Sequence, residues 1–334
     1  MEELFMSDVT RFESLLQKHR SKPSRADELD SHLEKHRSSY NKTTVELSAP
    51  YISKIVPAIS ISTGIASLDI SLGGGLPAGF IEIFGEESVG KTALAYSIIR
   101  QAQESSLRTV LLCGEFLDEP YLEKVGVDTS SLAVMRSGCG ESVLEHAGIL
   151  YSTGDIDVLV VDSATGLRPK EDNGSGWRNM IYHWMSHLMP DIGLDKCVVM
   201  VNQVRAKRSI DPSRFFAGGS DSVARKIAGM FDTRMELSRS SLSDSLYDLN
   251  INIVSNTLSR PGRIVTVPFV KGHGIDRWKD LVRVATSAGV LRKEGSWYRY
   301  GGEILAQGEG ETARVLKNSS IGVAVLKEVR SFVR

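Results

Sequence analysis

The stretch "GEESVGKT", Gly85 to Thr92, sets two glycines, a lysine and a threonine at the spacing G-x-x-x-x-G-K-[ST]. Residues of these types bind phosphate. Gly85 and Gly90 let the backbone through Glu86, Glu87, Ser88 and Val89 curl its amides around phosphate oxygens. Lys91 supplies a point charge to the β and γ phosphates, Thr92 offers a hydroxyl to Mg²⁺, and Ala93 continues the nucleotide-contacting set into the helix. The strand-like "FIEIF" stands directly before the motif and the helical "TALAYSIIRQ" directly after it, which is the context the chemistry requires.

Hydrolysis at such a site needs an acid on the metal side and a group that activates water. Asp162 closes the apolar run "DVLVVD", which puts its carboxylate at the carboxyl edge of a sheet, where α/β folds bind ligands. It is the expected second ligand of Mg²⁺, beside Thr92. Glu115 ends the neighbouring run "TVLLCGE" and is the candidate base; a strand-end glutamate can also simply pair with a nearby cation. Gln203 ends "KCVVMVNQ" at the same edge, where an amide can hydrogen-bond a γ-phosphate and lose that bond after hydrolysis.

Arg205, Lys207, Arg208 and Arg214 follow Gln203 at once, opposed only by Asp211, with Phe215 and Phe216 before Gly218, Gly219 and Ser220. A whole-chain net charge of −1 makes this gathering of cations a local feature. Cations on such a loop attract phosphates, and aromatics stack on bases without reading sequence. Glycines permit hinge dihedrals, so nucleotide state and loop order would form one equilibrium. The alternative is a solvated charge run. A second candidate loop, "RPKEDNGSGWRNM" at 168–180, offers Arg178 and Trp177 to the same channel, against the reading of a surface turn with Trp177 packed underneath.

These groups need a frame. Short β-branched runs at 80–84, 109–113, 157–161 and 197–201 read as strands buried on both faces, and helical segments such as "TALAYSIIRQAQ" and "ESVLEHAGILYS" separate several of them. This is an α/β class: a P-loop core with a mostly parallel central sheet and right-handed crossovers. "TRMELSR", "LNINIVSN" and "RIVTVPFV" come late and are expected to extend the sheet as antiparallel hairpins. The division expected is an N-terminal helical segment and linker at 1–59, the ATPase core at 60–275, and a small C-terminal α+β piece at 276–334 with a hairpin around "SWYRYGGEI". Phe5, Val9, Phe12 and Leu16 line one helical face, which either folds back on its own core or docks on a neighbouring subunit.

With 334 residues, 41% hydrophobic and 24% charged, the composition is that of an ordinary soluble protein. Balanced charge argues against coating nucleic acid with the whole surface. Three cysteines give neither a disulfide framework nor zinc spacing, and no apolar run approaches a membrane span, so the expected location is the cytosol.

The segments "ISTGIASLDISLGGGLPAGFIEIFGEESVGKT", "GEFLDEPYLEKVGVD", "DVLVVDSATGLRPK", "NQVRAKRS…FFAGG" and "EGSWYRYGGEILAQGEGETARVLK" resemble, in order and spacing, the bacterial RecA recombinases, over residues 60–334. The resemblance implies a divergent member of that family: an ATP- and Mg²⁺-dependent recombinase that self-associates into helical filaments on single-stranded DNA and exchanges strands with homologous double-stranded DNA. It implies that Glu115 is the catalytic glutamate, Gln203 the γ-phosphate switch, and the loops near 170–180 and 204–219 the DNA contacts. It also favours docking of the N-terminal helix on the adjacent protomer, and a C-terminal piece that guides duplex DNA. Departures are visible. Glu86 and Val89 stand where relatives have Pro and Ser, Glu119 replaces an Asp near the adenine, and Leu122 stands where a Tyr stacks on it. Ser255 and Thr257 occupy the positions of two lysines that reach the neighbour's ATP, and Lys271, with Arg260 and Arg263 close in sequence, is the expected replacement. The sequence ends at "VRSFVR" without an acidic tail, from which weaker inhibition of duplex binding is expected. Two other functions remain open: a ring helicase on the same core fold, and an ATP-gated DNA-binding scaffold with little turnover.

Overall fold

The computed structural model describes residues 60–114, 116–170, 176–192, 196–203, 222–240 and 246–332. The four apolar runs form β1 (Gly79–Gly85), β2 (Thr109–Cys113), β4 (Val158–Asp162) and β5 (Cys197–Gln203). With β3 (Ala133–Met135), β6 (Thr233–Ser240), β7 (Leu246–Asn256), β8 (Arg263–Val270) and β9 (Gly274–Ile275) they make a nine-stranded sheet in the order β3-β2-β4-β5-β1-β6-β7-β8-β9. All pairings from β3 to β6 are parallel.

The late strands differ from expectation in one respect. β6 joins β1 in parallel, and only β7, β8 and β9 add antiparallel. The chain between β5 and β6 is long enough for a crossover and includes a helix, whereas the short links beyond β6 permit only antiparallel return.

Alternation along each strand sorts side chains to two faces. Ile81, Ile83, Val158, Val160, Val199 and Val201 pack with α2 (Lys91–Glu104), α3 (Glu119–Val125) and α1 (Ala66–Leu72). Phe80, Leu159, Val161, Val198 and Met200 pack with α4 (Gly140–Ser152), α5 (Gly176–Leu188) and α6 (Ser222–Ala228) on the opposite face. Burial on both sides is why these strands read as near-continuous apolar runs, with Glu82 the charge inside β1.

After β9 comes a small antiparallel α+β domain. It contains α7 (Arg277–Ser287), the sheet β10 (Arg292–Glu294), β11 (Trp297–Tyr300) and β12 (Glu303–Gln307), then α8 (Glu309–Lys317) and α9 (Ser320–Ser331). Its core includes Leu281, Val282, Leu316 and Val325, and it also takes in Ala66 and Ile70 of α1. A carboxylate makes the junction. Asp280 of α7 accepts Ser67 N at 3.0 Å and Ser67 Oγ at 2.5 Å, so it caps α1, whose own N-cap, Ile65, offers no side-chain acceptor. Nearby, Asp69 of α1 accepts from Thr63 N at 2.7 Å and lies 3.6 Å from Arg330 of α9. No helix among the described residues is long and apolar enough to cross a membrane.

Candidate nucleotide site

β1 ends at Gly85, the loop turns through Glu86 to Gly90, and α2 starts at Lys91. A Cβ on Gly85 would collide with the carbonyl oxygen of Leu237 on β6, so the strand can end this close to its neighbour only as glycine. Gly90, the N-cap of α2, has φ 113°, and Ser88 has φ 58°; both lie in the left-handed region that lets the loop fold back over the helix end. Because Gly90 brings no side-chain cap, the first amides of α2 form the anion-binding end of a helix. Lys91 is 6% exposed. Its Nζ donates to the carbonyl oxygens of Gly85 at 3.1 Å and Glu86 at 2.5 Å, which places the ammonium inside the curl of the loop. Thr92 follows, half-buried.

Strand parity decides which edge residues share this loop's face. Asp162 alternates with Val158 and Val160, and Gln203 with Val199 and Val201, so both side chains belong to the α2 face. For Asp162 the electrostatics agree: the Tyr96 hydroxyl on α2 is pushed up first by burial and next by the Asp162 charge. Asp162 is fixed from β2 as well, since Gly114 N donates to its carbonyl oxygen at 2.9 Å; the Asp162–Ser163 peptide bond is cis. Gln203 is the direct register partner of Gly85 on the adjacent strand. The last rung of β5 therefore lies beside the first residue of the phosphate loop.

Glu115, Arg205, Lys207, Arg208, Arg214, Phe215, Phe216, Gly218, Gly219 and Ser220 lie outside the described residues, as does the N-terminal helical face. Arg178 is described. The segment read as a loop is helical from Gly176, so Arg178 sits in the first turn of α5 with its guanidinium 5.1 Å from the centre of the Trp177 ring, and Trp177 packs on the core beneath.

Leu122 requires a correction. It is 1% exposed and packed in the α2-side core, so its side chain cannot stack on a base. α3 turns its apolar stripe inward at Leu122 and Val125, leaving Tyr121 at the margin. Tyr121 is only partly buried; its ring centre is 6.0 Å from that of Tyr96, and its hydroxyl would lie 3.6 Å from a Cβ on Gly274. Glu119 is the exposed first residue of α3, capped by Asp118, whose carboxylate accepts Tyr121 N at 3.1 Å.

The three cations grouped by sequence also separate in space. Lys271 lies exposed in the β8–β9 turn, beside α2 of the same chain, because Phe269 touches Gly90 and a Cβ on Gly274 would lie 3.7 Å from that of Ala93. Arg263 begins β8 and pairs with Ile253, at the other end of the strand. Eight residues at about 3.4 Å each put roughly 27 Å between them. Ser255, Thr257 and Arg260 belong to the Arg263 end.

Several residues around the site were not singled out from sequence. Tyr247 and Phe269 stack 4.6 Å apart behind the phosphate loop, with Tyr247 Oη 3.4 Å from the carbonyl oxygen of Val89. Glu82, Asn202 and Arg234 form a buried polar network across β1, β5 and β6. A charge inside each of the apolar runs "FIEIF" and "TRMEL" was the available signal for the network.

Comparison with known proteins agrees with this architecture. In fold, the chain is similar to the KaiC-like protein PH0186 from Pyrococcus horikoshii OT3 (TM-score 0.51, 15% identity, 66% of this chain and 98% of that one). In sequence it is 34% identical over 291 residues to Protein RecA of Syntrophus aciditrophicus (strain SB), covering 81% of this chain and 83% of the relative. It is 33% identical over 277 residues to Protein RecA of Aquifex aeolicus (strain VF5), covering 77% and 79%. The RecA N-terminal domain matches residues 28–276 and the RecA C-terminal domain residues 279–334. With both domains matched in order around a phosphate loop on a mostly parallel sheet, the chain belongs to the RecA family.

Proposed function

We propose that this chain is an ATP-dependent homologous DNA recombinase, which forms helical filaments on single-stranded DNA in the cytosol and exchanges strands with a homologous duplex. The observation that carries the reading is the register of Gln203 against Gly85, with the cationic, Phe-bearing segment following directly in sequence. A side chain adjacent to the phosphate loop is thereby continuous with a segment whose composition suits polynucleotide.

Lys91 and the first amides of α2 hold the β and γ phosphates of ATP. Thr92 and Asp162 are hard oxygen donors on one face of the sheet and fit Mg²⁺, which when bound screens the charge that builds on the phosphoryl oxygens. Glu115 takes the proton of the attacking water. Gln203 donates to the γ-phosphate and, through its backbone, sets the order of the 204–219 segment, where Arg205, Lys207, Arg208 and Arg214 meet phosphates and Phe215 and Phe216 meet bases. Tyr121 supplies a flat face for the adenine. Arg260 and Arg263, at the same end as Ser255 and Thr257, supply the charge that the neighbouring protomer's nucleotide requires, and Lys271 serves the nucleotide of its own chain.

The test is imaging with single-stranded DNA and a slowly hydrolysed ATP analogue, followed by a strand-exchange assay. Filaments and exchange are expected. Filaments without exchange, with turnover no faster than a Lys91→Ala control, would select an ATP-gated scaffold, the reading favoured by Ser255 and Thr257. Rings that unwind forked duplex would select a helicase.

A further inference from the structure

We infer that the buried Arg234–Glu82–Asn202 network is a positioning device that holds the end of β5, and with it Gln203, in register against the phosphate loop. Glu82 lies at the middle of β1, three residues before Gly85, and is fully buried, as is Asn202; Arg234 is 7% exposed. Arg234 Nε donates to Glu82 Oε2 at 2.6 Å from β6, and Asn202 Nδ2 donates to Glu82 Oε1 at 2.8 Å from β5. Phe84, the register partner of Asn202, lies under the Arg234 guanidinium at 5.1 Å. One carboxylate, three residues before the start of the phosphate loop, thus ties three adjacent strands together and holds Asn202, one rung below the Gly85–Gln203 edge.

Stability alone does not account for the arrangement. A buried ion pair recovers its desolvation cost only with complete hydrogen bonding, and apolar residues of similar volume commonly do as well or better. Here the bonding is incomplete: among the described residues, Asn202 Oδ1 and Arg234 Nη2 are buried without a hydrogen-bond partner. What the network does provide is direction. The backbone ladder already sets the register of β5 on β1, and the side-chain hydrogen bonds add a directional tie near the strand end that apolar packing, which has no preferred direction, does not supply. The parity of β5 makes this useful. Asn202 is anchored on the α4/α5 face, so the next residue, Gln203, must point to the α2 face beside Gly85.

The inference rests on Gln203 being the phosphate sensor, and its test separates the two ideas. Affinity for single-stranded DNA is measured with an ATP analogue and with ADP, together with kcat and KM for ATP, in the unmodified chain, Gln203→Ala, Asn202→Leu, the double variant and a triple variant Glu82→Leu/Asn202→Leu/Arg234→Met. Asn202→Leu is expected to keep KM within about twofold, lower kcat at least tenfold and bring the ATP-to-ADP affinity ratio close to one, with the double variant no worse than Gln203→Ala. The triple variant is expected to melt at or above the temperature of the unmodified chain and still lack the affinity ratio. Full recovery of the ratio in a stable triple variant would mean that the network only packs the core, and would overturn the inference. So would additive losses in the double variant. If the unmodified chain itself shows no nucleotide-dependent affinity, the sensor reading fails and the inference falls with it.

Discussion

Lowering the pH from 7.5 to 4.5 should stabilise the docking of the C-terminal domain on α1, and Asp280→Asn should remove that dependence. Asp280 is 1% exposed, and burial pushes its carboxyl up to about 6 from 3.8, the nearby Asp69 charge adding to the rise while the Ser67 hydroxyl and amide oppose it. The facing groups are Ser67 and Asp69 from α1, with Arg330 from α9 engaged by Asp69. Since the folded carboxyl binds its proton more tightly than the unfolded one, its favourable contribution is fully present below pH 3.8. It is lost as pH rises through about 6. Two pH units at 1.36 kcal/mol each give about 3 kcal/mol between those limits. Asparagine keeps an acceptor for Ser67 N, can donate to Ser67 Oγ and carries no charge to desolvate, so the variant should gain about 1–2 kcal/mol at pH 7.5 and nothing at pH 4.5. Urea unfolding followed through Trp278, two residues from Asp280, reads both. Asp69, Glu82 and Asp232 are shifted upward too and slope the same way, while Asp128 and Glu141, held down by their hydrogen bonds, slope the other way. The difference between unmodified chain and variant isolates Asp280, and equal slopes in the two would refute the argument.

Other outcomes follow from the site. Tyr121→Leu should raise KM for ATP about tenfold with little change in melting temperature. Leu122→Ala should do the reverse, costing about 2–5 kcal/mol of stability as a buried leucine truncation; steady-state kinetics beside calorimetry distinguishes them. Arg260→Ala/Arg263→Ala should lower DNA-stimulated hydrolysis about 10²–10³-fold, as loss of transition-state donors does, while ATP binding to the isolated protomer stays normal. Lys271→Ala should instead weaken that binding, and the opposite pattern in nucleotide titrations would reinstate Lys271 as the cation supplied across the interface. Gly85→Ala should not accumulate as folded protein, because the added methyl meets the Leu237 carbonyl, a backbone group that cannot move aside; soluble yield and circular dichroism test it.

The four buried parallel strands and the phosphate loop were legible because their signals are local: an apolar run bounded by glycine, and a motif spaced along one strand–helix turn. β3 and β9 were not, being three and two residues long and held only by their neighbours. Direction in the late strands was misread for a related reason. Nothing within "TRMELSR" encodes parallel pairing; the length of the preceding connection does. Leu122 is buried because the helical stripe of α3, not the order of letters, decides which side chain faces outward. Lys271 was joined to Arg260 and Arg263 by proximity in sequence, while an extended strand carries chain neighbours apart faster than any other element. The Asp280–Ser67 contact spans 213 residues and has no local signature at all.

Among the described residues, the buried carboxylates Glu82, Asp69 and Asp280 lie at two joints, Glu82 beneath the β1–β5–β6 edge and the other two where α1 meets the C-terminal helices. Both are places where one element must meet another at a defined offset and not merely in contact. Apolar surface gives cohesion without a preferred direction, so around Ile81 and Val199 it is the backbone ladder that sets the register. A carboxylate that accepts from two fixed donors adds a second directional constraint. If that is why the charges are present, substitutions at Glu82 and Asp280 should separate stability from geometry in the same manner. Neutral replacements would leave melting unchanged or raised, yet broaden the distribution of positions at each joint, measurable as increased amide exchange at Gln203 in one case and at Ser67 in the other.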